Sequence, residues 1–229
     1  MTPSTAAIER ERWSSNAQRL GMISAGGILV VGILYLATIA IWLIVEARPR
    51  EPIGDPYLAV MEVLTLVSAL ALLGLVVAIW CFADAARRVY AIMTLALGSL
   101  AVGLTMAVHF VQLTAIRQMW RAGQLVDYRL VWPSVIFAAE YFAWDVLVGL
   151  TMASAGLARS GGSAGNARRA LLCGGTLCLM GAAGPLSGCM LLQNVAGLGY
   201  AVVQPIAATI LARVFRATSA SGSRRLTSA

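Results

Sequence analysis

Six apolar runs dominate the chain, each of about 20 residues or more, the length a helix needs to cross the hydrocarbon core of a bilayer. They are Gly21–Val45, Pro56–Phe82, Val89–Ile116, Pro133–Ala158, Ala170–Leu192 and Val195–Val214. Backbone in lipid must satisfy its own polar groups, so spanning segments are helices or strands of a closed barrel. Barrel strands alternate apolar and polar residues over about ten positions, and these runs are longer and more uniformly apolar. The expectation is an all-α integral membrane protein, with six transmembrane helices in one bundle over residues 21–216. A cytoplasmic tail over 1–20 and a disordered cytoplasmic tail over 217–229 flank it. Charged residues are 12% of the 229, about half of what a soluble domain carries. The first run exceeds the roughly 7–15 apolar residues of a signal peptide, so it is expected to remain as a helix.

Every one of the 17 basic residues is an arginine, and these set the orientation. Twelve lie before the first run, between the second and third, around the connection of the fourth and fifth, and from the last turn of the sixth onward. The other five, Arg48, Arg50, Arg117, Arg121 and Arg129, lie in the alternate connections. Positive residues stay on the cytoplasmic side, so both termini are expected there, in what is expected to be a bacterial plasma membrane. The net charge of +7 is thus an orientation signal rather than a nucleic-acid footprint, because the arginines form no stripe interleaved with aromatics. With no lysine, Schiff-base chemistry is excluded. With one histidine, bis-histidine haem and multi-histidine metal sites are excluded too. Cys81, Cys173, Cys178 and Cys189 form no close pair and read as small apolar side chains. No cofactor is implied.

Two connections differ in character. Ser160–Gly165 reads as a flexible linker, lacking the Lys-Ser/Thr ending of a phosphate-binding loop. Arg117–Trp132 mixes Met119, Trp120, Leu125, Val126 and Trp132 with arginines and Asp127, which suggests a segment lying on the outer membrane surface. Trp120, Tyr128 and Trp132 would anchor it at headgroup level, and a lid over a pocket is the functional alternative. Gly174, Gly175, Gly181, Gly184 and Gly188 permit close helix approach, Gly184 and Gly188 as a small-xxx-small pair that could serve internal packing or homo-oligomerisation. Pro185 and Pro205 are expected to kink the fifth and sixth helices. No repeat relates the two halves.

The functional clue is the set of ionisable residues at membrane depth, where each costs about 2.5 kcal/mol or more. Glu62, His109, Glu140 and Asp145 are the four candidates for acid–base catalysis. At 1.5 Å of rise per residue, Glu62 lies about 9 Å, Glu140 about 10 Å and His109 about 12 Å from the outer ends of their helices. An acid, an acid and an imidazole on three helices thus share one layer, with Asp145 deeper at about 18 Å. Glu62 is also near enough to the surface to snorkel to the rim. Thr105, His109 and Gln112 share a helical face, as do Phe137, Glu140 and Trp144, with Tyr141 one turn before Asp145. Phe137, Tyr141, Phe142 and Trp144 would surround the acids, and Gln193, Asn194 and Gln204 would complete a pocket in the outer half of the bilayer. The candidate substrate-binding residues are Phe137, Tyr141, Trp144, Gln112, Thr105 and Gln204.

Three functions fit. An intramembrane enzyme could protonate a lipid or isoprenoid, with aromatic faces stabilising the cation. That is the reaction logic of small membrane-embedded terpene cyclases, although none of their motifs is found here. A proton-coupled carrier of a small solute would use the same acids as a relay. A non-catalytic membrane subunit or sensor would pair them with rim arginines or another chain. The expected partners are membrane lipids and a hydrophobic small molecule, with no nucleic acid. Reporter fusions at Ala229 and between Arg121 and Arg129 should report opposite compartments; agreement between them would overturn the six-span topology.

Overall fold

The computed structural model describes residues 5–45, 53–124, 132–159 and 165–226, without the side chains of 5–14 and 218–226. Six helices are long and apolar enough to cross a membrane, and no strand occurs among the described residues. Helix α1 is Thr5–Val45, with its apolar span from Ser15. Helices α2, α3, α4 and α5 are Tyr57–Cys81, Ala85–Arg121, Val135–Leu157 and Gly165–Ser187. Helix α6 starts at Gln193, and its last segment is Gln204–Leu226. Each helix packs antiparallel on the next, and α6 returns to α1, so the six close into a ring. Large apolar side chains such as Ile23, Ile44, Val89 and Leu186 stand exposed on the outside. Apolar surface of that extent suits lipid rather than water.

Small residues bring the later helices together. A Cβ on Gly175 of α5 would stand 2.7 Å from the Gly149 carbonyl oxygen and 2.8 Å from the Ala153 nitrogen of α4. A Cβ on Gly199 of α6 would stand 2.6 Å from the Cys178 Sγ of α5. Gly181 and Gly184 lie against Ala196 and Gln193 in the same way. These glycines therefore serve contacts inside the chain. Gly188 does not: it ends α5 at φ 76°, a left-handed conformation that glycine adopts without penalty. The expected Gly184–Gly188 packing pair is thus a packing residue followed by a stop signal.

Several boundaries differ from the expected ones. Helix α5 begins at Gly165 and ends at Ser187, not Leu192, and is interrupted after Gly181. Pro185 explains the interruption, since its ring clashes with the carbonyl four residues earlier, at Gly181. Helix α3 continues through Arg117–Arg121 with helical dihedrals at the join. That part of the supposed surface segment therefore extends a spanning helix, because the backbone stays helical from Gln112 to Arg121. Its members Leu125, Val126, Asp127, Tyr128 and Arg129 lie outside the described residues, as do Arg48, Arg50 and most of the Ser160–Gly165 linker. The first and last helices reach into both regions read as tails, starting at Thr5 and running to Leu226.

Three helices contain a widened π turn: Gln112–Ile116 in α3, Phe142–Val148 in α4 and Leu198–Val203 in α6. The last precedes Pro205, whose ring cannot accept a regular turn over Ala201. At the end of the bundle bearing the chain termini, side chains tie the helices together. Gln18 Nε2 donates to the Phe215 carbonyl at 2.6 Å, and Arg87 donates to the Leu157 carbonyl at 2.9 Å. Arg159, buried beside the Phe82 carbonyl, has its basicity lowered first by that burial, with Asp84 opposing. Gly175→Ala should lower bundle stability by about 1–3 kcal/mol, the usual cost of overpacking. Gly103→Ala, with open space around its Cβ, should not. Thermal unfolding in detergent micelles compares them.

Candidate functional site

The site lies just before the π turns of α3 and α4. Glu62 of α2, His109 of α3 and Glu140 of α4 meet inside the ring. His109 Nδ1 lies 2.5 Å from Glu62 Oε2, and His109 Nε2 lies 2.6 Å from Glu140 Oε1. One imidazole is thus clasped by two carboxyl groups on its opposite nitrogens. Glu62 is 2% exposed and His109 5%, so Glu62 does not snorkel to the rim; its reach is taken up by the imidazole. Among the described residues, no rim arginine pairs with these acids. Arg117 and Arg121 both bond to Asp55, at 2.6 Å and 3.2 Å.

Each bond of the clasp needs one proton, and a neutral imidazole supplies one. Two carboxylates, an imidazole and one further proton therefore carry a net charge of −1. A third proton would make the unit neutral, and one oxygen is free to hold it. Glu140 Oε2 is buried and makes no hydrogen bond.

Glu140 lines a cavity of about 320 Å³ bounded by α1, α2, α4 and α6. Its wall is aromatic, with Tyr35, Phe137, Tyr141, Trp144 and Tyr200, and has amides at Gln193 and Gln204. Phe137 and Tyr141 stack at 4.4 Å between ring centres, and Trp144 and Tyr200 at 5.4 Å. Leu36 and Ala201 also line it and are exposed on the outside of the ring, so this cavity opens sideways between α1 and α6. A second cavity of about 430 Å³ lies at the end of the bundle that holds Asp55 and Arg117. Glu62, Gln112, Trp120 and Trp132 line it. Tyr35 and Phe137 belong to both walls, whereas His109 belongs to neither.

The candidate residues divide accordingly. Glu62, His109 and Glu140 are brought together, while Phe137, Tyr141, Trp144 and Gln204 line the side cavity and Gln112 the rim cavity. Thr105 is buried one turn below His109 and lines neither cavity. Phe142, expected around the acids, is half exposed on the outer face of α4, because it follows Tyr141 by a single residue and so points away. Asp145 is fully buried behind the wall. Neither of its oxygens completes a hydrogen bond, although the Gln193 amide lies beside it and donates to the Tyr200 hydroxyl at 3.1 Å.

Tyr35 and Tyr200 were not singled out by the sequence reading. Both carry a legible signal, Tyr35 on the Ile28–Val31–Tyr35 face of α1 and Tyr200 seven residues after Gln193 and four before Gln204. Among the described residues no three His, Cys, Asp or Glu side chains are placed to hold a metal ion. No family model, curated protein or solved structure matches the chain.

His109→Ala would leave two buried carboxyl groups facing each other without their shared partner. It should cost about 1–3 kcal/mol of stability for each carboxyl group left without its partner. Asp145→Asn should unfold like the natural protein, because no hydrogen bond of the carboxyl is lost. Unfolding midpoints in detergent compare the two.

Proposed function

We propose that the protein is an intramembrane acid–base enzyme that isomerises or cyclises a hydrophobic alkene, of the lipid or isoprenoid class, admitted from the side. One observation carries this reading. Glu140 is held through one oxygen by His109, has its other oxygen unpartnered, and stands in the wall of an aromatic cavity that opens outward between two apolar helices.

In the proposed reaction, the Glu140 O–H bond breaks as a C–H bond forms at one alkene carbon. The π electrons supply that bond and leave a carbocation. The faces of Trp144, Tyr141, Phe137, Tyr35 and Tyr200 lower its energy by cation–π attraction. Attack by a second double bond closes a ring, or none intervenes. Loss of a proton from a neighbouring carbon back to Glu140 then restores an alkene and the starting acid. Atoms and charge balance without any oxidant or cofactor. With both termini cytoplasmic, as the arginine distribution favours, the rim cavity faces the outer side.

A carrier reading has one specific point in its favour: the two carboxyl groups of the clasp belong to different cavities. Mass spectrometry of lipid extracts decides between the two. Membranes containing the natural protein should gain a product isomeric with a resident hydrophobic species. Glu140→Gln, inserted to the same level, should lower its formation by about 100-fold or more, the contribution of a positioned acid. Trp144→Leu should cost less and broaden the products. An unchanged lipid profile with altered solute accumulation would replace the enzyme by the carrier.

A further inference from the structure

The clasp joins two spaces that otherwise share only the Tyr35 and Phe137 side chains. Glu62 lines the rim cavity and Glu140 lines the side cavity. Between them stands His109, which lines neither and touches one carboxyl group with each ring nitrogen. The rim cavity also holds the Asp55–Arg117 ion pair, both members of which are partly exposed, so water reaches that space. The side cavity opens between exposed apolar residues, where water does not. An acid that works against a lipid-facing pocket has no direct aqueous source of protons. We infer that Glu62, His109 and Glu140 form a proton relay, through which the rim cavity supplies the acid of the side cavity; this deepens the enzyme reading above.

Imidazole is suited to this because it accepts a proton at one nitrogen while releasing one from the other. Water in the rim cavity protonates Glu62. As a proton leaves Glu140 Oε2 for the side cavity, the Nε2 proton moves to Glu140 Oε1 and the Glu62 proton moves to Nδ1. The ring stays neutral before and after and changes tautomer from Nε2–H to Nδ1–H. When the relay runs back, Glu140 returns its proton to Nε2, the Nδ1 proton passes to Glu62, and the first tautomer is restored. Both transfers cross contacts of 2.5 Å and 2.6 Å, so no side chain need move far. Glu62 is therefore the entry residue and His109 the positioning and transfer residue for Glu140. An amide at position 62 could keep the contact to Nδ1 but could not pass a proton.

His109 is the single histidine of the chain, so its ring nitrogens can be observed alone by ¹⁵N NMR after histidine labelling. The protein, in lipid nanodiscs and without a histidine tag, is transferred to D₂O, and exchange of the ring N–H protons is followed. Glu62→Gln should slow exchange by about 100-fold, on the scale of losing one positioned proton carrier. Glu140→Gln should leave exchange from the rim near the natural rate while shifting the Nε2 resonance. Exchange that is unchanged in Glu62→Gln, or equally slowed in Glu140→Gln, overturns the relay. Cavity filling gives a second comparison that leaves the clasp untouched. Ala59→Phe in the rim cavity should slow exchange, and Ala201→Phe in the side cavity should not; the reverse order overturns the relay as well. The lipid assay is read separately. Rim-fed exchange without any lipid product would keep the relay and remove the enzyme, whereas a lipid product with exchange independent of Glu62 would keep the enzyme and remove the relay.

Discussion

The imidazole of His109, held by Glu62 on one nitrogen and Glu140 on the other, is the interaction around which the half of the bundle away from the chain termini is organised. It ties together three consecutive helices at a depth where an isolated ionisable group would be costly. Each member relieves the others: the carboxyl groups satisfy both ring nitrogens, and the ring takes one oxygen of each acid. The remaining Glu140 oxygen is the unsatisfied part of the unit. Structural clasps tend to leave no such atom, because a buried polar group without a partner costs about 1–3 kcal/mol. A group that must give up a proton needs one.

The rest of the fold makes room for this unit. At the end bearing the chain termini, Gly21, Gly74, Gln18, Arg87 and the Phe82–Phe215 ring pair draw the helices together. Toward the other end the helices part, and the space between α1, α2, α4 and α6 is the side cavity. The π turns of α4 and α6 border this space. Each inserts one extra residue into a helical turn and rotates the following side chains relative to a regular helix. In α4 the turn carries Trp144 to the cavity wall and Asp145 behind it; in α6 it carries Tyr200.

The arginines do two jobs. Their uneven distribution favours one orientation in a membrane. Individually they also close the ends of the bundle, where Arg87 satisfies the last carbonyl of α4 and Arg117 and Arg121 share Asp55 at the rim. Among the described residues, that arrangement gives the Glu62 and Glu140 carboxyl groups His109 as their cationic partner.

What the sequence determined by itself was the class, the number of helices and the depth of the polar residues. Apolar run length and a constant rise per residue are local properties, so Glu62, His109 and Glu140 could be placed in one layer before any contact was known. Helical periodicity likewise put Phe137, Glu140 and Trp144 on one face. Only the tertiary structure decided which of these residues touch, because that depends on how each helix is rotated about its axis and on which neighbours close the ring. Those rotations are set by contacts such as Gly175 against Gly149 and Gly199 against Cys178, between residues far apart in the chain. The π turns of α3 and α4 add a further shift that no residue spacing announces. Asp145 shows the consequence: its depth was legible, but a rotation of α4 put it behind the wall and left Glu140 facing the cavity.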